Sequence, residues 1–184
     1  FEGLTNGAAY TFRVAATNAA GTSNYTTAIS VVPLGAPRQA TGLVAIADGT
    51  DVDLSWSAPT DNGGTPITDY TIEYSTDSGT TWSVYTDGAS AEPHATVTGL
   101  VLGTSYTFRV TPLNAVGSGD VSDTATATPF TPPGQPTGLT ATPGSGQVAL
   151  SWIAPTATGG GEITYTVEYG ELGQSATLRT PMIV

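Results

Sequence analysis

The residues of this sequence that could do chemistry are few, and they begin with one imidazole. His94 is the only histidine among 184 residues, and the chain has no cysteine. Thiol nucleophiles, disulfides and zinc–thiolate sites are therefore excluded, and one histidine cannot build a multi-histidine metal site. Ser and Thr are abundant, but neither a His nor a Lys is placed to activate them. We therefore predict that this segment is not an enzyme and needs no cofactor.

Acidic side chains supply the remaining candidates for chemistry. Asp51 and Asp53 are two residues apart, but they share the outward face of a predicted strand, where no apolar pocket would favour the protonated acid. The stretches 47–53 and 60–69 carry oxygen ligands of the kind that Ca²⁺ prefers, yet Asp, Asn and Gly are equally typical of turns. We predict no metal site in either stretch.

Charge and hydropathy exclude two classes of partner. Fifteen acidic residues against four basic ones give a formal charge of −11 and an isoelectric point near 4.1. Such a chain is repelled by nucleic acid and by anionic membranes. Since no apolar run reaches the roughly 18 residues of a membrane helix, we predict no membrane insertion within this segment.

Two binding features are left as candidates. Trp82 and Tyr85 follow a predicted hairpin turn at 77–79, where an exposed aromatic ring could stack on a sugar. The alternative for Trp82 is that it caps the end of a β-sandwich under the next connection. Asn24 begins an Asn-Tyr-Thr glycosylation sequon, although the hydroxyl-rich surface favours O-glycosylation equally.

The elements that must position these residues are strands. Apolar residues alternate with polar ones between turn signals spaced roughly 8 to 12 residues apart, which is typical of an all-β sandwich. The alternation predicts the inward-facing residues Val52, Leu54, Trp56, Tyr70, Ile72, Tyr74, Tyr106, Phe108 and Val110. It also places Arg109 and Glu73 on the outer face of neighbouring strands, where we expect a cross-strand ion pair.

The sequence is a tandem repeat. "GLTNGAAYTFRVAATNAAGTS" at 3–23 returns as "GLVLGTSYTFRVTPLNAVGSG" at 99–119, and the stretch from Pro37 realigns with the stretch from Pro133. Both alignments have an offset of 96 residues, which falls to 95 after the Gly-rich loop of the second. A period of this length means that each copy is one structural unit, and neighbouring units are stacked along the chain.

These repeated motifs resemble the fibronectin type III domain, particularly the form found in bacterial extracellular proteins. The motif "GLxxxxxYTFRVxxxNxxG" follows a strand that carries Trp, and an "AP…GG…I..Y.(I/V)EY" stretch lies between them. The resemblance implies an immunoglobulin-like sandwich in which strands A, B and E pack against C′, C, F and G. It also implies six structural residues: core Trp56 and Trp152, corner Tyr10 and Tyr106 with hydroxyls bonded to nearby backbone, and Leu4 and Leu100 six residues before them. The Arg-Gly-Asp motif of some animal members does not occur.

The repeat divides the chain into one complete and two partial sandwiches. We expect the end of E, then F and G, in 1–34; a whole domain in 35–130; and A, B, C and C′ in 131–184. A two-stranded half is only marginally stable in water. Three explanations stay open: a window from a longer array, completion of each half by strands of another chain, or a fragment made by cloning or proteolysis.

The linkers favour a structural role. "VVPLGAP" from Val31 and "ATPFTPPGQP" from Ala127 are rich in Pro, which makes extended, semi-rigid joints, and Leu34 and Phe130 are expected to pack between neighbouring domains. We predict an extracellular spacer or filament repeat of a secreted or cell-surface protein, with neighbouring copies as its partners. The alternative is a carbohydrate-associated or adhesive module that binds polysaccharide beside an enzyme or adhesin domain.

Overall fold

The computed structural model describes residues 1–170, and within them every regular element is a β-strand. The strands are β1 (Tyr10–Phe12), β2 (Thr17–Asn18), β3 (Gly21–Thr22), β4 (Ile29–Val31), β5 (Thr41–Asp48), β6 (Asp51–Ser57), β7 (Ile67–Ser75), β8 (Ser83–Tyr85), β9 (His94–Val97), β10 (Tyr106–Asn114), β11 (Ala125–Ala127), β12 (Thr137–Gly144) and β13 (Gln147–Ile153). The predicted all-β class is confirmed. Over the described range, no helix has the length and apolar character needed to cross a membrane.

The middle of the chain folds into a complete two-sheet sandwich. One sheet has the order β5-β6-β9, and the other has the order β11-β10-β7-β8. These are the A-B-E and G-F-C-C′ sheets that the resemblance implies. All the strand pairs are antiparallel, and β10 pairs with β7 along its length, so that Phe108 lies opposite Tyr74 and Arg109 opposite Glu73.

The core of the middle sandwich lies between these two sheets. Alternate residues of β6 and β10 point inward, because successive side chains of a strand lie on opposite faces. The buried apolar residues are Ala40, Val52, Leu54, Trp56, Tyr70, Ile72, Val97, Tyr106, Phe108 and Val110. Eight of the nine residues predicted to face inward are in this set, and Tyr74 packs against it while staying partly exposed.

The first 34 residues form two short strand pairs. β1 pairs with β4, with Phe12 opposite Ile29, and β2 pairs with β3. These strands correspond to the predicted F and G. The expected end of E is not formed, since residues 1–9 lie in no strand. In the middle sandwich, the E strand is β9 and it pairs with β6. Residues 1–34 contain no counterpart of β6 for such a strand to pair with.

The third unit is described only in part. β12 and β13 pair as the counterparts of β5 and β6. The expected strand C is not formed, because residues 162–168 lie in no strand. Its counterpart β7 is held by hydrogen bonds to β10, and the described residues after 131 include no counterpart of β10. The expected C′ falls on 171–184, outside the described residues. The predicted domain bounds at 34/35 and 130/131 stay predictions.

Candidate functional site

The two core tryptophans occupy equivalent positions with different degrees of burial. Trp56 is 7% exposed and its ring meets Tyr70 edge-on, with the centroids 5.0 Å apart. Trp152 makes the same edge-on contact with Tyr165 at 5.1 Å, but it is only partly buried. Burial of Tyr70 raises the pKa of its phenol above the ordinary value, because the charged phenolate would lose its hydration.

The two corner tyrosines make one hydrogen bond in common. The Val101 N–H donates to the Tyr106 hydroxyl at 3.0 Å, and the Thr5 N–H donates to the Tyr10 hydroxyl at 2.9 Å. That backbone N–H lowers the pKa of Tyr10, because it stabilises the phenolate. Leu100, just before this turn, packs against the middle core; its counterpart Leu4 is half-buried. Each corner therefore ties the loop to the strand that follows it.

Trp82 lies on the outer face of the four-stranded sheet and covers an ion pair. The Arg109 guanidinium donates to both carboxylate oxygens of Glu73, at 2.8 and 3.0 Å, as the strand alternation predicts. The Arg109 Cζ lies 4.0 Å from the centroid of the Trp82 ring, a cation–π contact. The indole N–H donates to the Gly79 carbonyl at 3.0 Å. The ring thus shields the ion pair from water and is itself fixed to the hairpin turn.

Trp82 and Tyr85 do not form one aromatic platform. In β8, Val84 lies opposite Glu73 on the outer face, whereas Tyr85 lies opposite Ile72 on the core side. Tyr85 packs against the core, and its hydroxyl lies 3.2 Å from Thr98 Oγ1. Since the two rings point to opposite faces of the sheet, they cannot both stack on one sugar.

Asn24 lies between β3 and β4 in an exposed segment of the first unit. The hydroxyl of Ser23 donates to the Asn24 carbonyl at 3.0 Å, and the ring of the next residue, Tyr25, lies 4.2 Å below the Arg13 guanidinium. The sequon is therefore accessible. Its glycosylation stays a prediction. In residues 1–170, no group of three or more His, Cys, Asp or Glu side chains lies close enough together to hold a metal ion.

The linkers are hydrogen-bonded to the sandwich that follows them. In the first joint, the N–H groups of Gly35 and Arg38 donate to the carbonyls of Gly63 and Asp61, both at 2.9 Å. In the second, 96 residues later, Thr131 and Gly134 make the equivalent bonds to Gly159 and Ala157, at 3.0 and 2.8 Å. Both linkers therefore run along the loop that follows the second strand of the next unit, β6 or β13, and are not free tethers.

Asn114 holds the first linker from the other side. Its side-chain amide donates to the carbonyls of Gly35 and Asn62, at 2.8 and 2.9 Å, and its carbonyl oxygen accepts from Val116 and Gly117. The residue is only 6% exposed. All four of its hydrogen-bonding positions are thus used. The sequence contained a signal for this role, since the Asn recurs in the repeated motif, but its spacing alone does not say what the amide binds.

The third unit has an open apolar cleft of about 660 Å³. Leu139, Val148, Leu150 and Trp152 line one side, and Tyr165, Val167 and Tyr169 are among the residues of the other. Val148 and Leu150 are the counterparts of Val52 and Leu54, which β7 and β10 cover in the middle sandwich. The cleft is therefore the inward face of the β12–β13 strand pair. The described residues include no opposite sheet to cover this face.

Taken with the core and the corners, this topology defines a class: a β-sandwich module of the immunoglobulin-like type, repeated in tandem. A family model for the fibronectin type III domain matches residues 35–128. The chain belongs to the fibronectin type III domain family. The match covers the whole of the middle sandwich, from the linker at Gly35 to the residue after β11.

Relatives of the chain come from animals and from a bacterium. The striated-muscle M-protein of Gallus gallus is 32% identical over 183 residues, which is 93% of this chain and 13% of that protein. Chitinase A1 of Niallia circulans is 37% identical over 146 residues, which is 72% of this chain and 20% of the enzyme. A crystal structure of titin domains is similar with a TM-score of 0.50 and 26% identity, covering 65% of this chain and 40% of that one. The chain thus spans a fifth or less of the two full-length relatives.

Proposed function

We propose that the chain is a segment of a stiff structural spacer built from tandem sandwiches. The observation that carries the proposal is the pinned linker. In both joints the linker backbone is hydrogen-bonded to the next sandwich, and Asn114 adds two further bonds in the first. A linker bonded in this way cannot behave as a random coil, so the distance between sandwiches is held. The similarity to the striated-muscle M-protein supports a structural role of the same kind.

Small-angle X-ray scattering of the whole chain tests the spacer. A rod of sandwiches in line gives a pair-distance distribution with a long, single-sided tail and a maximum dimension close to the sum of the units. A compact particle, in which the units fold back on one another, would contradict the proposal. Insertion of Gly-Ser-Gly-Ser between Leu34 and Gly35 is the matched control, because it puts a flexible segment between the first unit and the hydrogen-bonded linker residues Gly35 and Arg38 without altering a core.

The open faces support assembly between chains. In the middle sandwich, β10 and β11 complete the core over β5 and β6. In the first unit, β1 and β4 are the counterparts of β10 and β11. In the third unit, β12 and β13 are the counterparts of β5 and β6. We propose that residues 1–31 of a second copy lie on the cleft of the third unit. Ile29 and Val31 of β4 are exposed, as are Val148 and Leu150 of β13. Such a contact joins unlike surfaces head to tail and propagates into a filament.

Sedimentation velocity over a concentration series tests this assembly. The wild-type chain should form oligomers whose size increases with concentration. Leu150→Asp places a charge in the cleft, so this variant should sediment as a monomer at every concentration. Ile153→Asp is the matched control, since Ile153 is exposed on the same strand but does not line the cleft. A wild-type chain that stays monomeric at every concentration would refute strand exchange while leaving the spacer proposal intact.

A secreted or cell-surface location and the bacterial form of the family belong to the same proposal. They are supported by the similarity to the bacterial chitinase over 72% of the chain and by the hydroxyl-rich, cysteine-free composition. Protease treatment of intact source cells tests the location, because a surface spacer is cut while the cells stay closed. Protection of the chain until the cells are lysed would contradict it.

One observation favours a second function, polysaccharide binding. The relative in Niallia circulans is named a chitinase, and Trp82 lies on the outer face of the sheet. Retention of the chain on a chitin column tests this function. If Trp82 binds sugar, Trp82→Ala abolishes retention, whereas Val84→Ala on the same outer face does not. A wild-type chain that passes through the column unretained would contradict polysaccharide binding and leave the structural spacer as the proposed function.

A further inference from the structure

The two joints of the chain place glycine backbone against glycine backbone. In the first joint, a methyl group built on Gly64 would lie 2.6 Å from both the N and the Cα of Gly7. In the second, a methyl group built on Gly160 would collide with the backbone nitrogen of Gly103 and lie 2.7 Å from the carbonyl carbon of Leu102. The glycine pairs are 96 residues apart. Each unit therefore touches the next through atoms that leave no room for a side chain.

Each contact joins the same two loops. Gly7 and Gly103 lie three residues before the corner tyrosine of one unit, and Gly64 and Gly160 lie in the loop after the second strand of the next. The first loop is also bonded to its own linker: Gly7 N–H donates to the Pro33 carbonyl at 2.8 Å, and Gly103 N–H donates to the Pro129 carbonyl at 2.9 Å. Loop, linker and following loop thus form one continuous hydrogen-bonded and packed layer.

The neighbouring side chains differ between the joints, whereas a close backbone contact between the two loops is present in both. Leu34 Cδ2 lies 3.1 Å from the position of a Gly64 methyl group, while Phe130 replaces Leu34 in the second joint and lies 3.7 Å from the position of a methyl group on Gly161. Both apolar residues are about half exposed. The element common to the two joints is therefore the backbone contact, and the apolar side chain beside it is interchangeable.

We propose that each glycine pair is a lock that fixes the orientation of one sandwich on the next. Side chains between two domains can change rotamer and let the domains rock, but a backbone-on-backbone contact has no such freedom. Any bend at the joint must separate the two glycines or drive them into each other. Each of the two joints therefore has one fixed bend and twist. This inference rests on the proposed spacer and specifies the shape that the spacer takes.

The absence of cysteine in the chain allows a direct test with spin labels. Thr27→Cys in the first unit and Ala91→Cys in the middle unit introduce two exposed sites for labels, and pulsed electron paramagnetic resonance gives the distribution of distances between them. The chain with an intact lock should give one narrow distribution. Gly64→Ala in the doubly labelled full chain should widen it by about twofold or more, because the added methyl group forces the joint open.

Gly88→Ala is the matched control. Gly88 lies in the same sandwich with φ +87°, against +85° for Gly64, but a methyl group on Gly88 meets nothing within 4 Å. The two variants therefore carry the same backbone strain and differ only in the joint contact. Gly88→Ala should keep the narrow distribution.

A second variant approaches the lock from the other unit. Gly7→Ala would place its methyl group 3.1 Å from the Gly64 Cα and should also widen the distribution, even if Gly64→Ala proves unfolded by circular dichroism. A broad distribution in the unmutated joint, or a narrow one in both folded variants, would overturn the lock. The scattering result is separate, since a chain can be extended with flexible joints, so failure of the lock and failure of the spacer are distinguishable.

Discussion

The pairs β5–β6 and β12–β13 have the same sequence pattern and the same register, yet only one of them forms a core. Both are antiparallel, and both have a register shift after their first residue pair. Val52 and Leu54 are 0% and 2% exposed, whereas their counterparts Val148 and Leu150 are 60% and 40% exposed. The difference is the opposite sheet, present over β6 and lacking over the described part of the third unit. Strand pairing needs only the local sequence, but burial needs the other half of the sandwich.

The largest expected effect comes from the centre of the covered face. Phe108 is fully buried on β10, and its counterpart Phe12 on β1 is only half-buried. Phe108→Ala should lower the free energy of unfolding of the middle sandwich by about 3–5 kcal/mol, because it removes a large buried ring and leaves a cavity. Urea denaturation followed by NMR, in which the signals of each unit report separately, measures it. Phe12→Ala should cost much less, and equal costs would contradict the comparison.

Asn114 and Asn18 provide the next comparison. Asn114 is buried with all four hydrogen-bonding positions occupied, whereas Asn18 is exposed and its side chain accepts from the Ala20 N–H at 2.8 Å. Asn114→Ala should destabilise the middle sandwich by about 1–3 kcal/mol, because it leaves the Gly35 and Asn62 carbonyls without the hydrogen-bond donor of the Asn114 amide. Asn18→Ala should change stability by less than about 0.5 kcal/mol. Faster hydrogen exchange at Gly35 in the first variant alone would confirm that the amide holds the linker.

The corner tyrosines give a smaller effect. Tyr106→Phe removes the acceptor of the Val101 N–H while keeping the ring, which should cost about 0.5–1.5 kcal/mol of unfolding free energy. Tyr10→Phe should cost less, since its hydrogen bond to Thr5 is exposed to water. Thermal unfolding of the two variants against the wild type measures the difference. Equal losses in the two variants would mean that the stability contributed by the corner hydrogen bond does not depend on how deeply the corner is buried.

The smallest effect is expected in a turn whose hydrogen bonds are all local. This turn needs no opposite sheet to form. The hydroxyl of Ser75, the backbone N–H of Thr81 and the hydroxyl of Thr81 donate to the Asp77 carboxylate and lower its pKa to about 2. Because the folded-state pKa lies below the unfolded value of 3.8, the stabilisation is present above pH 3.8 and is lost as the pH falls through about 2.

Carboxyl titration by NMR measures this pKa. Ser75→Ala removes the first of the three donors and should raise the pKa of Asp77 toward 3.8, whereas Thr76→Ala next to it should not. An unchanged pKa in Ser75→Ala would show that the Thr81 donors alone hold the carboxylate in its charged form.

Much of the fold could be predicted from the sequence, and the reason is that its signals are local. The alternation in "DVDLSW" assigns Val52, Leu54 and Trp56 to one face, and the structure buries all three. The Arg109–Glu73 pair followed from the same alternation once the strands were taken as neighbours. Residues 1–9 and 162–168, where the end of E and strand C were expected, lie in no strand, because a strand exists only with a hydrogen-bonded partner and alternation does not report whether that partner is present.

The candidate sites were less predictable. The sequence placed Trp82 and Tyr85 close together beyond a turn, but their assignment to opposite faces follows from the register of β8 on β7. The stacking of Trp82 on Arg109 needs residues 27 positions apart to meet across the sheet. Asn114 was visible as part of a repeated motif, although its two carbonyl partners lie 79 and 52 residues away.

The sequence by itself determined the repeat, the strands and the face that each side chain takes, because these depend on spacing along one segment of chain. Only the tertiary structure decided which faces are covered, what the linkers bind and which glycines are in contact. Gly64 and Gly88 show why. Both have a positive φ near the same value and both read as turn glycines, yet one lies against the backbone of the preceding unit and the other faces open space. The difference between a turn and a joint is set by the atoms that approach from elsewhere in the fold.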